Sequence, residues 1–224
     1  DMKMYEPAMR HLLDTYIRAE ESEKLSAFDD LTLVTLIVER GEQAVRALPA
    51  GLRESREAMA ETIENNVRRL IIDEMAVNPK YYEKMSGLLD ALIKQRRREA
   101  MDYKAYLAKI VELTKKVSRP EAGSTYPSSI DTGSLRAFYD NLEESYTAAV
   151  RERPQAPYGG MAEEDLRTEL AIAVDRAIRE VKKADWRGNR FKEREVRNAI
   201  RQELGDDEAL VDAMFEIAKA QRDY

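Results

Sequence analysis

Apolar side chains return every three or four positions along almost the whole chain, and that period is met by helices that bury one face. Met9, Leu12, Leu13, Tyr16 and Ile17 make the first such stripe, with Pro7 suited to a first helical turn. Met59, Ile63, Val67, Leu70 and Ile71 make another, ending before Asn78 and Pro79, a pair able to cap and open the next helix. Tyr82, Met85, Leu89, Leu92 and Ile93 follow. After a break near 98–102 the period resumes at Tyr103, Tyr106, Leu107, Ile110, Val111, Thr114 and Val117. The last two stripes predict an antiparallel helical hairpin. Only residues 31–38 are β-branched enough to suit a strand, but Asp29 and Asp30 before them and Gly41 after them mark a helix start and stop.

With 9 Gly and 7 Pro in 224 residues, turns are too few for a many-stranded fold. The expected class is all-α, an irregular multi-helix bundle with a smaller C-terminal helical bundle. Pro120, Gly123 and Pro127 make 118–134 a loop, and a helix resumes near Leu135. Pro154, Pro157, Gly159 and Gly160 make 151–160 the most linker-like stretch. The expected division is therefore a helical body at 1–150, a linker at 151–160 and a small helical domain at 161–224. Within the last, Leu166, Leu170, Val174, Ala177, Ile178 and Val181 form one stripe, Val196, Ile200 and Leu204 a second, and Leu210, Val211, Met214, Phe215 and Ala218 a third.

Residue types that carry catalysis are scarce. There is no cysteine, which removes disulfides and thiolate metal sites and fits a reducing, cytoplasmic setting. His11 is the only histidine and lies off the first apolar stripe, so it reads as a surface residue. No phosphate-cradling glycine motif is present, since Gly159 and Gly160 sit in a proline-rich stretch with no strand before them. Glu163, Glu164 and Asp165 fall where carboxylates offset the positive end of a helix, and that role outweighs Mg²⁺ binding. Asp102 and Lys104 resemble the acidic-then-lysine element of metal-dependent nucleases, but such residues belong on strands and these open a helix. The tyrosines Tyr81, Tyr82, Tyr103, Tyr106 and Tyr139 occupy or flank apolar stripes and read as core residues. Arg96, Arg97 and Arg98 suit the carbonyl end of a helix. No catalytic, cofactor or metal residue is assigned.

Charge is more informative. The chain carries a net charge of -6, yet 176–201 holds ten basic residues against four acidic ones, Glu180, Asp185, Glu193 and Glu195. Such a reversal suits a phosphate backbone or an acidic partner, although pairs such as Glu193 with Arg197 equally make a solvated face. Besides Arg176 and Arg179, the candidate contact residues are Lys182, Lys183, Arg187, Arg190, Lys192, Arg194, Arg197 and Arg201.

Glu6-Pro-Ala-Met-Arg-His-Leu-Leu-Asp-Thr-Tyr-Ile-Arg-Ala-Glu20, then Asn78-Pro-Lys-Tyr-Tyr-Glu-Lys-Met-Ser-Gly-Leu-Leu89 and Trp186-Arg-Gly-Asn189, together resemble the C-terminal region of the R subunit of type I restriction-modification enzymes. Residues 61–70 with Asn65-Asn66-Val67-Arg68, residues 103–110, the loop Tyr126-Pro-Ser-Ser-Ile-Asp131 and the segment Gln221-Arg-Asp-Tyr224 extend the likeness over most of the chain. The resemblance implies a parent subunit with a metal-dependent nuclease and an ATP-driven motor, an ATP-dependent DNA translocase and endonuclease. It implies that this region is a helical module docking onto the modification and specificity subunits. ATP and Mg²⁺ belong to parts of the parent outside this chain, and the expected role here is non-enzymatic. Contact with DNA through 176–201 is the alternative.

Overall fold

The computed structural model describes residues 33–41, 43–44, 55–98, 102–123, 126–142, 146–147, 150 and 161–224. His11, the stripe from Met9 to Ile17 and the stretch 151–160 lie outside them. Eight α-helices and no strand are present among the described residues, so the fold is an all-α multi-helix bundle. None of these helices is long and apolar enough to cross a membrane.

The first four helices are α1 (Leu33–Arg40), α2 (Arg56–Glu74), α3 (Pro79–Arg98) and α4 (Tyr103–Ser118). Here the stripes read from the sequence supply the inner faces of α2, α3 and α4. Met59, Ile63, Val67 and Ile71 of α2 are buried, as are Tyr82, Met85, Leu89 and Leu92 of α3. Ser55 caps α2 by accepting from the Ala58 N–H at 3.2 Å. At the start of α3, Asn78 Oδ1 accepts from the Tyr81 N–H at 3.3 Å. The expected hairpin is present: the Tyr81 hydroxyl, at the head of α3, donates to the Lys116 carbonyl near the tail of α4 at 2.7 Å. The described part of the ambiguous run 31–38 lies in the helix Leu33–Arg40, where Leu33, Leu36 and Ile37 share one buried face. α4 is central, packing against α1, α2 and α3 with Tyr106 and Ile110 fully buried.

A 3₁₀ turn at Pro120–Gly123 follows, and then α5 (Gly133–Asn141), α6 (Glu163–Val181), α7 (Arg190–Leu204) and α8 (Glu208–Ala220). Thr132 caps α5 through the Leu135 N–H, and Asp207 caps α8 through the Leu210 N–H. Gly205 closes α7 with φ 87°, a left-handed value that a Cβ would strain.

The buried apolar side chains of the described residues fall into two clusters. The first cluster runs from Leu33 to Val117, the second from Ile130 to Ala218. Leu135, Phe138, Leu142, Tyr146 and Val150, placed by the sequence with the N-terminal body, pack with α6, α7 and α8. The Tyr146 hydroxyl donates to the Leu204 carbonyl, tying this region to the end of α7. Periodicity shows which face of α5 is apolar but not which neighbour covers it.

The two cores meet where α3 packs on α5. Asn78 donates to Asp140 at 2.7 Å, the Tyr126 hydroxyl donates to the same carboxylate oxygen at 2.7 Å, and Asn141 donates to Asn78 Oδ1 at 2.8 Å. Burial raises the pKa of Asp140 above the usual carboxylate value, while the Tyr126 and Asn78 hydrogen bonds oppose that shift. Beyond α8, Gln221 donates to the Val77 carbonyl at 2.8 Å and Arg222 pairs with Glu74 at 2.6 Å.

Candidate functional site

The basic stretch occupies one edge of the second core: the end of α6, the connection at 182–189, and α7. The connection is tightly folded. Asp185 has φ 54° and Gly188 has φ 79°, both in the left-handed region. Trp186 is buried between them, its ring edge-on to Phe215 of α8 at 6.1 Å. Asn189 caps α7 by accepting from the Phe191 and Lys192 N–H groups, and Glu193 reaches back to accept from the Gly188 N–H at 2.9 Å. That hydrogen bond, followed in effect by nearby Lys219, holds the Glu193 carboxyl below its ordinary pKa.

Most of the expected contact cations are engaged inside this body. Arg187 donates to three carbonyls at the end of α8 and beyond it, those of Lys219 at 2.9 Å, Gln221 at 2.6 Å and Tyr224 at 2.8 Å. Its positive fork thereby satisfies carbonyls left open at a helix C-terminus. Lys192 donates to the Ala184 carbonyl at 2.6 Å, and Lys183 pairs with Glu195 at 2.7 Å. Arg197 pairs with Asp212, and Arg201 with both oxygens of Glu208 at 2.6 and 2.7 Å. Thus Glu208 and Asp212 of α8 neutralise the α8-facing side of α7. Lys182 lies 6.0 Å from the Tyr224 ring centroid, where the face of the ring attracts it.

Arg179 donates to Asp175 at 2.7 Å beneath the second core's polar knot. There Ser134 and the Tyr224 hydroxyl both donate to the other oxygen of Asp175, at 3.0 and 2.5 Å. Burial, and then the hydrogen bond to Asp175, raise the Tyr224 hydroxyl well above the ordinary tyrosine range. Three cations remain. Arg176, Arg190 and Arg194 are exposed, with no ion pair among the described residues.

The residue that sequence reasoning missed is Phe191. It is 81% exposed, the most exposed large apolar side chain described, and stands between Arg190 and Arg194. Its signal was available: five positions before Val196, it lies about 140° around the helix from the start of the buried stripe Val196, Ile200 and Leu204. Tyr82 and Tyr106 are buried as core residues, and Tyr81, Tyr103 and Tyr139 are partly buried against the cores. Asp102 and Lys104 sit on exposed positions at the opening of α4. Glu163 opens α6 and pairs with Arg167 at 2.8 Å.

No protein-family model matches the chain, and comparison with curated proteins and with solved structures finds no similar protein.

Proposed function

We propose that this chain is a helical docking module of a larger subunit, the role implied by its resemblance to the C-terminal region of type I restriction R subunits. The observation that supports this reading best is the polar clasp between the two cores. Asn78, Asp140, Asn141, Tyr126, Gln221 and Arg222 join α2, α3 and α5 to the segment after α8. A body clasped in this way holds whatever is attached to it at a set distance from its partners, which is the mechanical requirement of such a module. In the parent, ATP- and Mg²⁺-dependent steps belong to other parts, while this part supplies geometry through helix faces. The proposed partners are the modification and specificity subunits, in a cytoplasmic complex.

Mixing the chain with those two subunits is expected to give a complex that co-elutes in size-exclusion chromatography. An R subunit lacking this region should lose assembly and keep ATP binding. Separate elution at micromolar concentration, with normal assembly of the shortened R subunit, would overturn the reading. A second reading, contact with nucleic acid along α7, is favoured by the exposed Arg190 and Arg194, whose guanidinium groups have no ion pair among the described residues.

A further inference from the structure

We propose that the outer face of the first turns of α7 binds an unpaired nucleic-acid strand, with Phe191 as the platform for a base and Arg190 and Arg194 as the phosphate contacts. This rests on the nucleic-acid reading of α7 and narrows it to a single strand.

An exposed phenylalanine by itself means little, since single apolar side chains are common on protein surfaces. The company of Phe191 gives it meaning. Arg194 is one helical turn on, at the i+3 spacing that puts it on the same face, and Arg190 is its neighbour toward the helix start. Asn198 and Gln202 continue that face at i+7 and i+11, both exposed and both able to donate and accept hydrogen bonds. The nearby carboxylate, Glu195, is held by Lys183. The face therefore combines one flat aromatic ring, two guanidinium groups and two amides.

Two other macromolecules fit it less well. A protein hot spot needs an apolar ring sealed by surrounding contacts that exclude water, and the exposed neighbours of Phe191 are charged. In a duplex each base already has both faces covered by stacking, so a protruding ring finds no surface to meet, whereas an unpaired base presents a free one. Glu208 and Asp212, which pair with Arg201 and Arg197 further along the same flank of α7, leave the unpaired guanidinium groups of this helix in its first turns.

The test is fluorescence anisotropy of the full chain with a labelled oligothymidine of about 20 nucleotides and a duplex of equal length. Phe191→Ala should weaken oligothymidine binding roughly tenfold while leaving duplex binding unchanged, and Phe191→Trp should retain it. Replacing Arg190 and Arg194 by Ala should weaken binding and flatten its salt dependence, each lost contact removing about 0.7 from the logarithmic slope. Because Phe191 is exposed, circular dichroism should show these variants as helical as the parent chain. Unchanged oligothymidine affinity in Phe191→Ala overturns the stacking inference but leaves salt-dependent nucleic-acid contact standing. Failure of the unaltered chain to bind either probe at low salt overturns both. Polyglutamate that binds as tightly as oligothymidine assigns the face to an acidic protein segment and overturns the proposal.

Discussion

Arg96 and Arg97 follow one another in the last turn of α3, yet their surroundings differ entirely. Arg97 is exposed, while the Arg96 side chain is only 10% exposed and donates to Glu64 at 2.9 and 3.3 Å and to Glu57 at 2.7 Å. The Tyr106 hydroxyl also donates to Glu64, at 2.8 Å. Burial, and then this bond, raise the Tyr106 pKa well above its ordinary value. Arg97 and Arg98 stand exposed in the last turn of α3, where cations complement open carbonyls. The helix-end pattern does not reveal the role of Arg96, because the partner lies 32 residues earlier and nothing local announces it. Arg96→Met should cost about 3 kcal/mol in urea unfolding, since it strands a buried carboxylate, whereas Arg97→Met should change stability by less than about 0.5 kcal/mol. Equal effects of the two substitutions would mean that the pairing with Glu64 contributes nothing specific.

Individual helices were legible because amphipathic period, cap and stop are local properties, and the inner faces of α2, α3, α4, α6 and α8 are made of the residues that the stripes named. The allegiance of α5 was not legible, because its apolar face fits either core equally well by pattern alone. The candidate site was half legible for a similar reason. Its charge excess shows in composition, but whether a cation is engaged depends on the acids that folding brings near, such as Asp212 and Glu208 for Arg197 and Arg201. Arg187 shows how far this can mislead, since it looks like a surface cation and instead closes the end of α8. Arg187→Met should lower stability by about 2 kcal/mol, the scale of hydrogen bonds from a charged donor, in unfolding followed through Trp186 fluorescence. An unchanged midpoint would show that water replaces the guanidinium at those carbonyls without loss.

At the scale of the whole molecule, two apolar cores share a junction that is largely polar, so hydrogen bonds rather than buried carbon couple them. Unfolding followed by far-ultraviolet dichroism, which reports both cores, should coincide with unfolding followed by Trp186, which lies in the second. The double variant Asn78→Ala, Gln221→Ala should separate the two curves, because Asp140 and the Val77 carbonyl then lose partners. Curves that still coincide would locate the coupling in the α3–α5 packing instead.

The order of the two cores along the chain also bears on how such a molecule is made. All the buried residues of the first cluster precede all those of the second, so a ribosome releases a complete set of partners for the first before adding the earliest of the second. The first half can settle while synthesis continues, its apolar faces covered before competing ones arrive, which is the circumstance in which chains avoid misassembly. Gln221 reaches Val77 across 144 residues and follows both clusters in the chain, so this long closure requires the chain of both cores to have been made first.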